Sequence, residues 1–258
     1  MMIINFFCIP FQFQEQGLSA LDVLSVTNLI NYFGKTENVD DIHVKPILIS
    51  KGVTHLALYG LGHVRDERLY RTFQQQKVKF YRPKGNEHQW FNLFVLHQNR
   101  HQHHSPKSQI TEGMLRGFFD IVVWGHEHEQ IIQPQKSVAG GFEVMQPGST
   151  VVCGLVPEEE KTKKCAILEI YKDQYRCNPV ELRSVRPLAM DSLQLAQEPS
   201  LDYCKNNSKE IEKVITQRVE ELIERVASRL PDPMFIKKFP SLKYPLIRLK
   251  VDYSGGYA

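Results

Sequence analysis

FFDIVVWGHEHEQ, residues 118–130, runs an apolar stretch into a glycine and two histidines one residue apart. A short, continuous apolar run of this kind reads as a buried strand. A site is then expected just past its carboxyl end, where loops of α/β sheets gather function. In extended backbone the i and i+2 side chains point the same way, so His126 and His128 would face one pocket and Glu127 would face away. FNLFVLH (91–97) repeats the pattern, ending its own apolar run on His97. Three imidazoles at two strand ends form a neutral ligand set suited to transition metals. They lack the bridging carboxylate that a two-metal phosphoester site uses.

Working outward, KPILIS (45–50), THLALYG (54–60) and AILEIY (166–171) read as further buried strands. DERLYRTFQ (66–74) and TEGMLRGFF (111–119) have helical spacing, and the mixture points to an α/β layered architecture. LSALDVLSVTNLINYF (18–33) reads as a helix that Gly34 ends; it is apolar on more than one face, from deep burial or from a core face plus a subunit interface. Beyond Arg186-Pro187 a polar linker leads to an amphipathic helix starting near Ser208. Asn207 and Glu210 resemble a capping box, and Pro231 and Pro233 end the helix. PLIRLKVDY (245–253) reads as a last strand.

Composition bounds the function classes. The 258 residues are 42% hydrophobic and 24% charged, enough for a real core. Five widely spaced cysteines, with no CxxC, suggest neither a disulfide framework nor a cysteine zinc site. Cys165 and Cys177 read as ordinary packing. The apolar start, MMIINFFCIPFQFQ, lacks a basic n-region and is interrupted by Pro10, so it reads as neither signal nor anchor. HQHH (101–104) reads as a solvated loop. No Walker loop, GxSxG elbow or GxGxxG occurs. The net charge of +3 lies wholly in residues 200–258, which hold 11 Lys and Arg against 8 Asp and Glu. There Lys237, Lys238, Lys243, Arg248 and Lys250 are candidate phosphate contacts, interleaved with Phe235, Phe239 and Tyr244. Core aromatics beside solvated lysines are the competing reading.

LHQNR (96–100), FFDIVVWGHEHE (118–129) and QPGST (146–150) together resemble the late motifs of calcineurin-like metallophosphoesterases. More narrowly, ALYGLGHVRDERLYRTF (57–73), WFNLFVLHQNR (90–100), VRPL (185–188) and LKVDYSGG (249–256) resemble the Mre-eleven (meiotic recombination) nuclease family. The resemblance runs from about Leu18 to Gly256. It implies a two-layered α/β phosphoesterase core with two manganese ions, then a DNA-contacting capping domain. It also implies exonuclease and endonuclease action on DNA ends in the nucleus, with the Rad-fifty ATPase and nibrin as partners. By similarity His97 and His126 would ligate one metal and His128 the other, with Gln98, Asn99, Arg100 and Glu127 as supporting neighbours. A helix after the family's GNHD motif forms its two-fold interface, which makes Leu24, Leu29 and Phe33 the candidate homodimer contacts.

The family's DxH, GD and GNHD motifs do not occur before Leu18, where MMIINFFCIPFQFQEQG stands instead. The expected organisation is an atypical segment 1–17, the later part of a phosphoesterase domain over 18–184, and a truncated capping domain over 185–258. This chain alone is expected to be catalytically incomplete, with no catalytic residue assigned and manganese binding weak or absent. The alternatives are a non-catalytic, dimerising, DNA-binding remnant or another calcineurin-like phosphatase.

Overall fold

The computed structural model describes residues 19–85, 89–100, 107, 109–201, 208–255 and 257. The amino-terminal segment, the HQHH cluster and Asn207 lie outside these residues. The fold is mixed α/β, with several sheets and few helices. None of the described helices is long and apolar enough to cross a membrane. The chain divides into two compact units. One comprises Met1–Gly148 and Cys165–Val180; the other comprises Ser149–Lys164 and Glu181–Ala258. The segment-by-segment division expected from the sequence thus meets a chain that visits the second unit once before returning to it.

In chain order the first unit contains α1 (Ala20–Val26), β1 (Ile42–Val44), β2 (Ile47–Lys51), β3 (Thr54–Leu61), α2 (Asp66–Gln74), β4 (Val78–Phe80), β5 (Trp90–His97), β6 (Ile121–Gly125), β7 (Ile131–Lys136) and β8 (Glu143–Gln146). A six-stranded sheet runs β2-β3-β5-β6-β8-β7. The central strands β3, β5, β6 and β8 are parallel, and the edges β2 and β7 are antiparallel. Both faces of the centre are covered, which explains the unbroken apolar runs of β3, β5 and β6. On one face Tyr59, Phe94, Leu96, Val122 and Trp124 pack with Leu69 of α2, Phe119 and the short parallel pair β1-β4. On the other, Leu58, Leu93, Val95 and Val123 pack against Leu168 and Ile170 of β9 (Lys164–Tyr171) and against Tyr175 and Cys177 of β10 (Gln174–Glu181). Cys177 is half-buried, as packing requires, whereas Cys165 is exposed.

Three sequence expectations need correction. β2 is not a buried strand: it is an edge strand, and Ile47 and Leu48 are exposed. TEGMLRGFF forms only one 3-10 turn, Glu112–Met114, because Gly113 and Gly117 weaken any longer helix. The helix expected over 18–33 is only α1, seven residues long. Ser19 and Asp22 form a capping box at its start. At its end the Thr27 hydroxyl bonds back to the Val23 and Leu24 carbonyls, and Asn28 takes a left-handed φ of 57°. Gly34 is therefore not a helix terminator. Its φ is 83°, and a Cβ there would lie 2.9 Å from the Gly60 carbonyl carbon, so Gly34 permits the chain to cross closely over β3.

The second unit contains β11 (Leu188–Gln194), α3 (Ser208–Ala227), α4 (Pro233–Lys238) and β12 (Leu246–Asp252). β11 and β12 pair in parallel from Leu188 opposite Leu246 to Gln194 opposite Asp252. The buried stripe of α3, Ile211, Leu222 and Val226, packs against Leu193 and Leu195 at one end and Ala189 at the other. α3 stops at Ala227, short of Pro231. Pro233 does not simply end a helix: with Asp232 as N-cap it opens α4.

Candidate metal centre and nucleic-acid interface

Parallel pairing sets His97, the last residue of β5, opposite Gly125, the last residue of β6. His126 follows immediately, and its Nδ1 lies 3.2 Å from His97 Nε2. Two nitrogens bound at about 2.0–2.1 Å to one tetrahedral ion stand roughly 3.3 Å apart, so this pair has ligand spacing. His97 is only 6% exposed. Burial, followed by the neighbouring His126, His63 and His128, holds its pKa at about 4. Burial lowers that of His126 as well, while Glu127 and Asp66 oppose the shift. Both rings are consequently neutral at pH 7, the form that binds metals. His128 is exposed, but its charge acts on both partners.

The alternation argument for His126 and His128 does not describe the local backbone. His126 has φ of 90°, outside the extended region. The Glu127 Oε1 accepts the Arg100 backbone N–H at 2.6 Å, and the Glu127 charge still reaches His126. The Arg100 guanidinium donates to Glu112 Oε1 at 2.6 Å and to Gln146 Oε1 at 2.9 Å, and Gln146 Nε2 donates to the Glu129 carbonyl. Gly148 has φ of 69°, and a Cβ there would come within 2.8 Å of the His128 carbonyl oxygen. LHQNR, GHEHE and QPG are thus stitched into one structure. Asn99 Nδ2 donates to Asp66 Oδ2 at 2.8 Å. Gln98 is fully buried, and neither atom of its side-chain amide has a hydrogen-bond partner among the described residues.

His63 belongs beside this group, although the sequence reading passed over it. It lies two residues beyond β3, the third adjacent parallel strand, and its ring centroid is 6.1 Å from His97 and 6.3 Å from His126. The available signal was a histidine just past an apolar run, as at His97 and His126. Asp66 is a carboxylate whose charge reaches His126. These residues fit a cation bound through nitrogen better than an oxygen-lined manganese cage.

In the second unit Lys237, Lys238, Lys243 and Lys250 are exposed. Phe235, Phe239 and Tyr244 are exposed too, Tyr244 by 64%, so the core reading of these aromatics does not hold. Lys238 Nζ stands 5.4 Å from the Phe239 ring centroid and Lys243 Nζ 5.9 Å from that of Tyr244. Arg248 differs: its guanidinium donates to the Leu155 carbonyl, which ties it into the fold. Of the candidate dimer contacts, Leu24 and Leu29 are exposed, Leu29 by 71%. Phe33 instead packs onto the first unit's core across Gly60.

The first unit is a mixed α/β fold with a histidine cluster at its parallel strand ends, and the second presents exposed lysines and aromatics. A family profile described as the Mre11 DNA-binding presumed domain matches residues 175–258. The chain is 46% identical over 245 residues to the double-strand break repair protein mus-23 of Neurospora crassa, covering 92% of this chain and 33% of that protein. It is 43% identical to MRE11 of Oryza sativa subsp. japonica and 41% identical to that of Homo sapiens, in each case over 93% of this chain and 34% of the relative. The chain therefore belongs to the MRE11 family of double-strand break repair proteins and spans about a third of the length of these relatives.

Proposed function

We propose that this chain is the metal- and DNA-binding part of a double-strand break repair nuclease of the metallophosphoesterase class. It would work in the nucleus on DNA ends, with the Rad-fifty ATPase and nibrin as partners. The observation that carries the reading is the 3.2 Å approach of His97 Nε2 to His126 Nδ1 at adjacent parallel strand ends. In a two-layered phosphoesterase core these imidazoles, with His128, would hold one side of a divalent centre. A divalent ion there would polarise a phosphodiester and activate water. Among the described residues the carboxylates whose charge reaches His126 are Glu127, which accepts the Arg100 backbone N–H, and Asp66. The chain alone is accordingly proposed to bind DNA without cutting it.

DNA binding tests the reading of the second unit. With four exposed lysines contacting phosphates, log affinity should fall with log salt with a slope of about −3 to −4. Lys238→Glu with Lys243→Glu should reduce the slope by about 2 units, as measured by gel shift across a salt series. Affinity indifferent to salt and to both substitutions would remove the phosphate contacts.

The apolar surface of α1 and the turn after it favours self-association as well. Val26 is 82% exposed, beside Leu24 and Leu29, with no cover among the described residues. A homodimer through this surface predicts that Leu29→Glu elutes as a monomer from a sizing column where the unmodified chain elutes as a dimer. An unchanged elution volume would dispose of the interface.

A further inference from the structure

We propose that His63 is a third imidazole ligand of the centre. It would give the chain a one-histidine-per-strand set, His63, His97 and His126, that takes a borderline divalent ion such as Co2+ or Zn2+. The proposal deepens the metal reading of the same site and rests on it. The register delivers the three residues together. Leu61 of β3 pairs with Leu96 of β5, and His97 pairs with Gly125 of β6, so three adjacent parallel strands each release one histidine at the same edge.

Tautomer and placement agree with a ligand. His63 Nδ1 lies 3.4 Å from the His97 backbone carbonyl oxygen, a bond in which the ring nitrogen must donate. Its Nε2 then keeps the lone pair. Donation from one ring nitrogen to a carbonyl is the usual way a metal-binding histidine is oriented. The ring stacks at 16° on His126, at a centroid distance of 6.3 Å. Three imidazoles on one tetrahedral ion have centroids roughly 5 Å apart. His97 and His126 already meet this at 5.1 Å, and His63, a partly buried loop residue beside Gly62, stands 6.1 Å and 6.3 Å from them and has to draw closer to both on binding an ion.

Asp66 supplies compensating charge. It lies three residues further on, at the start of α2, and its Oδ1 is buried with no hydrogen-bond partner among the described residues. Asn99, two residues after His97, donates to its Oδ2. A carboxylate oriented by one hydrogen bond, with its other oxygen unused, is prepared to neutralise a cation held next to it. Three nitrogens and one carboxylate favour Zn2+, Co2+ or Ni2+ over Mn2+ or Mg2+.

The test is a Co2+ titration of the whole 258-residue chain, read by visible ligand-field absorption and by calorimetry. His63→Ala, His63→Gln and His126→Ala would be compared at matched far-UV dichroism. We expect both His63 substitutions to weaken Co2+ binding on the order of 10- to 100-fold and to alter the absorption band, with added imidazole restoring it in His63→Ala. If both His63 variants bind Co2+ like the unmodified chain while His126→Ala does not, the His63 inference is wrong and the His97–His126 reading stands. If all variants bind alike, both fail. His63→Gln guards against a folding defect in the alanine variant.

Discussion

Replacing Glu159 by Ala is expected to destabilise the second unit by about 3–5 kcal/mol, because it strands a buried ammonium. Glu159 and Lys163 have side chains 0% and 3% exposed. Lys163 donates to Glu159 Oε2 and, at 2.9 Å, to the Ser149 hydroxyl. Ser149 in turn donates to Glu159 Oε2 at 2.9 Å. Removing the carboxylate leaves the buried Lys163 ammonium, among the described residues, only the Ser149 hydroxyl. Glu159→Leu combined with Lys163→Met should recover most of the loss, since a well-packed apolar pair often replaces a buried ion pair at little cost. Urea denaturation measures both. A loss under about 1 kcal/mol for Glu159→Ala would mean that the pair is hydrated.

Trp124→Ala should cost the first unit about as much, 3–5 kcal/mol, and should loosen the histidine cluster as well. Trp124 is wholly buried at the end of β6, and its Nε1–H donates to the Gln98 carbonyl at 2.8 Å. The Arg100 guanidinium stands 5.8 Å from its ring centroid. The indole thus fastens the residue after His97 to the residue two before His126. Trp124→Phe keeps most of the ring and loses the N–H bond, so it should cost about 1–2 kcal/mol. Thermal or urea unfolding distinguishes the two. Equal losses would assign the effect to the hydrogen bond rather than to packing.

The parts of the fold legible in the sequence were those where local pattern and tertiary burial agree. β3, β5 and β6 are covered on both faces, so their runs are unbroken, and α2 occupies the very residues its spacing marked. β2 was misjudged because a short apolar run looks the same at an exposed edge. The helix at 18–33 was overextended because its apolar residues serve two ends. Leu24, Val26 and Leu29 face outward, while Phe33 belongs to the core. The parallel pairing of β11 with β12 joins segments more than fifty residues apart, and no periodicity encodes that partner. At the site, His97 and His126 followed from strand ends alone. His63 did not, since Gly62 separates it from its strand. Asp66 was hidden as an ordinary first-turn acid of α2.

The central proposal is that this chain binds DNA and offers a set of imidazoles to a metal ion without cutting DNA on its own. Its most direct test is to incubate the purified chain with 3′-labelled DNA and Mn2+, beside the His126→Ala variant. The predicted result is salt-sensitive DNA binding by both proteins, with every 3′ end intact. Shortening of the DNA by the unmodified chain that His126→Ala abolishes would contradict it.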